Sequence, residues 1–174
     1  PAYQFNQQDA KLTGIEAQID IHPHPVHWLH FENTFSFVSG RFDKEIDGSN
    51  NLPLIPAAKW ITELRGDFKK AGRHFSNLYF KIELDNTFKQ NNPFTGFGTE
   101  TTTAGYSLFN SAFGADVLNK KKQVIFGLHI AVSNITDVGY QNHLSRLKYT
   151  AENKLTGRTG VFNAGRNFSI KLNV

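Results

Sequence analysis

The sequence contains no cysteine and no methionine, and only 2 of its 174 residues are tryptophan. Without cysteine there is no disulfide scaffold, no thiolate zinc site and no cysteine nucleophile, and the absence fits a periplasmic or outer-membrane setting as well as a reducing one. Long apolar runs are missing too. Nowhere do about 18 apolar residues follow one another, which excludes a transmembrane helix, and no charged, apolar, small-residue leader opens the chain. With no initiator residue and the polar stretch Pro1 to Gln8 at its head, the chain is expected to be a processed or shortened product. Its net charge of +4 is spread over singly placed Lys and Arg, apart from Lys120-Lys121-Lys122, so nucleic acid is not an expected partner.

What the sequence has is phenylalanine, 16 residues of it, set in an alternation of apolar and polar positions. Helical periodicity is absent almost throughout. Period 2 marks strands with one apolar face. In Leu78 to Asp85, Leu78, Phe80, Ile82 and Leu84 share one face while Lys81, Glu83 and Asp85 take the other. The same alternation predicts strands over 15–21, 29–37, 60–68, 124–132 and 168–174, with a weaker one over 106–117 carried by Phe109, Phe113, Ala115 and Val117.

These segments run seven to twelve residues, longer than the five or six usual in globular sheets, and those of nine or more match a tilted strand crossing a bilayer. The connections over 23–28, 69–76 and 119–122 are short, whereas those over 44–59, 91–105 and 138–160 are long. Short turns at one end and long loops at the other describe an outer-membrane barrel. A soluble antiparallel barrel or sandwich, apolar face inward around a small apolar ligand, shows the same alternation and stays open at this point. About seven strands is an odd number, whereas bacterial outer-membrane barrels close on an even one with both termini in the periplasm. The chain therefore reads as the C-terminal third of a larger barrel, with its long loops outside the cell and Pro1 opening in one of them.

Several pieces, in order along nearly the whole chain, resemble one family. They are Asp9 to Glu16, with a Gly and a Glu flanking an apolar residue; His22-Pro23-His24-Pro25 before the strand from Leu29 to Phe37; Asn51 to Lys59 with its two prolines; Glu100 to Asn110; Val132 to Tyr140; His143 to Lys148; and Gly165 to Phe168. Together they are similar to the C-terminal end of the barrel of TonB-dependent outer-membrane receptors of the kind common in Bacteroidetes. Two departures stand out: Ala57-Ala58-Lys59 sits where members usually carry a second proline and an arginine, and Val174 ends the chain where an aromatic residue is usual.

The resemblance implies an all-β, antiparallel transmembrane β-barrel segment, about seven of about 22 strands. It also implies an outer-membrane lipid environment and active uptake of an iron-siderophore or similar scarce nutrient, with zinc or haem as the alternative cargo. Energy would come from the TonB complex, acting through a plug domain that this chain does not contain. Ile15, Ile19, Phe31, Phe35, Phe80 and Ile82 would face lipid, and Glu16, Glu32, Glu63, Arg65, Lys81, Glu83 and His129 a lumen whose charges need partners other than lipid.

No nucleophile elbow, phosphate loop or paired-carboxylate motif is present, so neither catalysis nor a resident cofactor is expected. Ligand contacts are expected from aromatic and basic residues of the long loops, namely Phe94, Phe97, Tyr140, His143, Arg146, Lys148 and Arg158, groups suited to an anionic metal chelate. His22, His24, His27 and His30 lie within nine positions, and neutral imidazole is the commonest transition-metal ligand. The intervening prolines and a turn far from the outer loops make His22, His24 and His27 only weak metal candidates, packing at the barrel rim being the plainer role.

Overall fold

The computed structural model describes residues 7–174, so the start of the chain, read above as opening in an outer loop, lies outside the described residues. Seven long strands follow one another as an antiparallel meander: β1 (Ala10–Ile21), β2 (Leu29–Ile46), β4 (Lys59–Ala71), β5 (Phe75–Thr87), β6 (Tyr106–Leu118), β7 (Val124–Ser133) and β10 (Asn167–Asn173). A short β3 (Ser49–Asn51) folds back on β2, and β8 (Glu152–Asn153) with β9 (Arg158–Thr159) forms a separate small hairpin. All seven expected strands are present, and each of the five inner ones pairs with the long strand before it and the long strand after it. The sheet is not closed. β1 and β10 each have a single neighbour among the described residues.

The register carries the alternation of each strand into one continuous surface. Residues directly opposite one another in an antiparallel pair point to the same face. Ile15 pairs Phe37, Phe31 pairs Leu64, Leu64 pairs Ile82, Phe80 pairs Phe113, Phe113 pairs Ile130, and Ile130 pairs Ile170. The apolar positions thus form a belt across all seven strands. On the other face Asp20, Glu32, Glu63, Glu83 and Asn110 make one row, and His30, Arg65, Lys81 and Ala112 the next. Like charges in the first row are relieved by neighbours: Lys81 Nζ reaches Glu63 at 2.9 Å and Glu83 at 3.1 Å, Asn110 Nδ2 donates to Glu83 at 2.8 Å, and Gln18 Nε2 donates to Glu32 at 2.8 Å.

Hardly any dry interior exists. Phe94, Leu108, Ala112 and Ala115 are the buried hydrophobic residues among those described, while Ile15 keeps 62% and Phe80 46% of its surface exposed. An apolar belt left uncovered by any second layer of the described chain is what separates this sheet from a soluble sandwich, whose apolar face packs on a second sheet.

The strands outrun their expected bounds. Leu29 to Phe37 was the expected extent of the second strand, yet β2 continues to Ile46 because Asp47 and Gly48, at φ 48° and 75°, make a two-residue hairpin turn onto β3. The connection expected over 69–76 shrinks to residues 72–74, since β4 and β5 pair out to Ala71 and Phe75. Short and long connections do alternate: residues 22–28, 72–74 and 119–123 turn at one end, and 47–58, 88–105 and 134–166 extend at the other.

Candidate functional site

The three long connections pack on one another beyond the ends of the strands. The second is pinched into a ring by Gln90 and Thr103, whose backbones exchange hydrogen bonds at 3.0 and 3.1 Å. Gln90 Nε2 then donates to the Ile55 and Pro56 carbonyls of the first connection at 2.9 and 3.1 Å. Glu100 ties the same two together: Oε1 accepts from Leu54 N at 2.8 Å and Oε2 from Phe94 N at 3.1 Å.

The third connection is anchored at its start by Asn134, whose side chain both donates to the Val138 carbonyl and accepts from the Val138 amide at 2.9 Å. Its 3₁₀ turn, Arg146–Tyr149, brings Lys148 down onto the second connection. Lys148 Nζ donates to Thr103 Oγ1 at 2.5 Å and to the Thr101 carbonyl at 3.1 Å, and lies 4.8 Å from the centre of the Tyr149 ring. His143 Nδ1 is 2.8 Å from the same Thr103 hydroxyl, and its Nε2 stands 3.6 Å from Glu100 Oε2 without a hydrogen-bond partner. His143 and Lys148 are buried, 6% and 7% exposed.

An ammonium only donates, so the Thr103 oxygen accepts from Lys148 and its own hydrogen is free to point at His143 Nδ1. That assigns Nδ1 as the acceptor and places the imidazole hydrogen on Nε2, facing Glu100. The ring is held neutral. Burial, reinforced by the Lys148 charge, pushes its pKa below the ordinary 6.5, with Glu100 pulling the other way.

The seven loop residues expected to touch a ligand take different positions. His143, Lys148 and Phe94 turn inward and fasten the connections to each other; Phe94 packs edge-on to Phe42, with ring centres 6.1 Å apart. Tyr140 packs on Tyr106 at 4.3 Å, and burial together with Tyr106 and Asp85 raises its phenol pKa. Arg158 lies over the Phe162 ring at 5.0 Å. Phe97 stands out into solvent, and Arg146 lines a cleft of about 430 Å³ whose walls include Leu54, Phe94, Glu100 and His143. The cleft therefore draws on all three connections and offers an apolar wall beside one arginine.

Glu100, Thr103, Gln90 and Asn134 hold this cap together, and sequence reasoning missed them as site residues. A lone Gln or Thr in a polar loop carries no periodic signal, and Asn134 is legible from its type only as a turn-forming residue.

At the opposite end, the short connection over 22–28 separates the four histidines into two pairs. His24 and His27 meet edge to face with ring centres 4.8 Å apart, and His22 meets His30 at 4.5 Å. His22 Nε2 is 2.9 Å from Asp20 Oδ2, and His30 Nε2 is 3.4 Å from Asp67 Oδ2, which Arg65 also grips. The expected trio of His22, His24 and His27 is thus not the group brought together: Asp20, His22 and His30 place one potential metal-ligating atom each within 4.8 Å of one another. Hairpin register decides this, since its last pair, Ile21 with Phe31, brings the rings of His22 and His30 together just beyond it and leaves His24 and His27 in the turn.

No family model matches the sequence, and no curated protein matches it. Among solved structures, the copper transporter OprC matches at 18% sequence identity with a TM-score of 0.73, over 95% of this chain and 24% of the other. The chain thus spans about a quarter of the length of that structure. At this identity the likeness is one of fold: nearly the whole seven-stranded sheet, with its connections, is similar to a portion of a transporter.

Proposed function

We propose that this chain is the C-terminal portion of the barrel of a TonB-dependent outer-membrane receptor, and that the whole protein takes up a metal chelate or another scarce nutrient. The observation that carries the reading is the belt of apolar side chains running unbroken across seven long strands, set against a face of Glu, Asp, Lys and Arg. Lipid on one side and a polar lumen on the other is the arrangement that stabilises both. The similarity to part of a copper transporter supports it, and the receptor family, its Bacteroidetes type and about 22 strands rest on the sequence pieces. The neighbour's name makes a metal, bare or chelated, the preferred cargo class, with an iron-siderophore as the first candidate and zinc or haem as the alternatives.

In this reading the short turns lie in the periplasm and the packed long connections outside the cell. The cleft beside Arg146 is then the part of this chain open to an incoming anionic chelate. The TonB complex acts through a plug domain supplied elsewhere in the protein.

The absence of cysteine makes the test clean for this segment. Leu155 is 96% exposed at the tip of the β8–β9 hairpin, and Lys121 sits in the turn between β6 and β7. With the full polypeptide expressed in a Gram-negative host, Leu155→Cys reacts with a membrane-impermeant maleimide on intact cells, and Lys121→Cys reacts only after the outer membrane is permeabilised. Labelling of both on intact cells, or of neither after membrane isolation, overturns the reading.

A further inference from the structure

We propose that Asp20, His22 and His30 form a binding site for one divalent transition-metal ion, of the zinc and copper(II) class, on the polar face of the first hairpin beside its short turn. The site follows from register. Asp20 pairs Glu32 and Ile21 pairs Phe31, so the next pair along is His22 with His30, both on the face that carries Asp20 two residues earlier. Residues directly opposite in a sheet have Cβ atoms about 4.5–5.5 Å apart, close enough for their rings to touch, and the ring centres of His22 and His30 lie 4.5 Å apart.

Three donors, two imidazole nitrogens and a carboxylate oxygen, already lie within 4.8 Å of one another. Metal–nitrogen and metal–oxygen bonds of about 2.0–2.2 Å in a tetrahedron set donors roughly 3.4 Å apart, so the ion requires the wider separations to close by up to roughly 1.4 Å and the Asp20–His22 contact, now 2.9 Å, to open by about half an ångström. Half-exposed side chains make that adjustment by small rotations about their χ angles. The donor set selects the ion. Imidazole with carboxylate suits zinc, copper and nickel, whereas calcium and magnesium take oxygen-only sets.

Support around the ligands fits a metal site as well. A ligating histidine hands its second ring nitrogen to a carboxylate, carbonyl or water, which fixes the ring. His30 has Asp67 at 3.4 Å for this purpose, and Arg65 holds that carboxylate through Nε and Nη2 at 2.9–3.1 Å. Three protein ligands leave the fourth position of a tetrahedron open toward the polar face, for water or for a donor from the rest of the protein. The site rests on the geometry of this hairpin and not on the transport reading, so either stands if the other fails.

The test uses the full polypeptide purified in detergent, stripped with chelator and reloaded with zinc. Metal content by mass spectrometry is expected to fall by one equivalent per chain in His22→Ala and in His30→Ala, and to be unchanged in His24→Ala and His27→Ala. Copper(II) loaded onto the unaltered protein supplies a readout that needs no variant to fold: paramagnetic resonance is expected to show coupling to two imidazole nitrogens, and coupling to none overturns the site. Equal metal content in the His22 and His30 variants and the parent overturns the site, as does a loss of the same size in His24→Ala.

Discussion

His143 and Lys148 share one hydroxyl: Thr103 Oγ1 lies 2.8 Å from the imidazole Nδ1 and 2.5 Å from the ammonium. This junction welds the second and third long connections, and it works only while the imidazole is neutral. A proton on Nδ1 removes the acceptor that the Thr103 hydrogen needs and adds a second positive charge beside Lys148.

The pH dependence follows with a definite sign. The folded-state pKa of His143 is lowered, by burial first and by Lys148 second, from an ordinary 6.5. Above that value the stabilisation is fully present. As pH falls below it, the opened loop binds a proton that the packed loop refuses, so packing weakens until the pH passes the folded-state pKa. Limited proteolysis within residues 134–166 is therefore expected to be faster at pH 5.5 than at pH 7.5, and His143→Gln should flatten the difference. An identical pH dependence in that variant would place the titrating group elsewhere.

Replacing Lys148 by Met leaves the Thr103 hydroxyl buried without its donor and removes the bond to the exposed Thr101 carbonyl. The expected cost is on the order of 1–3 kcal/mol in the local opening of the cap, read as faster amide exchange at residues 99–105 and 143–149. Leu155→Asn, at an exposed hairpin tip, should leave those rates alone. Equal exchange in Lys148→Met and its parent would refute the anchoring role.

The apolar belt gives a depth-dependent prediction. Ile82 lies near the middle of β5, paired with Leu64 and Ser111. If the belt faces lipid as proposed, Ile82→Arg destabilises the protein by about 2–4 kcal/mol, the range for a basic residue facing lipid at mid-depth. Denaturant titration in bilayers or detergent measures it. Arg at Val124, beside the short turn, should cost roughly 0–1 kcal/mol, and a cost at Val124 as large as that at Ile82 would sink the lipid-facing assignment.

On the polar face, Glu63 and Glu83 stand directly opposite each other with Lys81 spanning both. Lys81→Met leaves the two carboxylates facing without a cation, a loss expected at about 0.2–1 kcal/mol for partly exposed groups. The double change Lys81→Met with Glu63→Gln should recover most of it, and high salt should shrink the effect. A penalty that the second substitution does not relieve would mean that Lys81 matters through packing of its methylene chain.

The seven long strands were legible because one side of each meets a single kind of surroundings over its whole length, which forces period 2 into the residues themselves. Leu78 to Asp85 shows this at its clearest. Where surroundings change along a strand the signal fades: beyond Phe37, β2 runs through Val38, Ser39, Gly40 and Arg41 into a hairpin, and alternation no longer marks its end. The cap was legible only as loops rich in aromatic and basic groups. That His143 and Lys148 turn inward depends on Thr103, some 40 residues away in sequence, and side-chain type does not say which way a loop residue points. The rim histidines lie between these cases, since the strands around them were anticipated but pairing His22 with His30 needed the register of the turn.

The open edges of β1 and β10 bear on modularity. Each presents backbone amides and carbonyls that the described residues leave without a sheet neighbour, and in hydrocarbon each such group costs several kcal/mol. In the proposed barrel, neighbouring strands of the whole protein supply the missing bonds, and the segment is then not portable. On that reading it gains its structure by joining a ring, and a recombination event that moved these 174 residues alone would transplant two sticky borders rather than a domain.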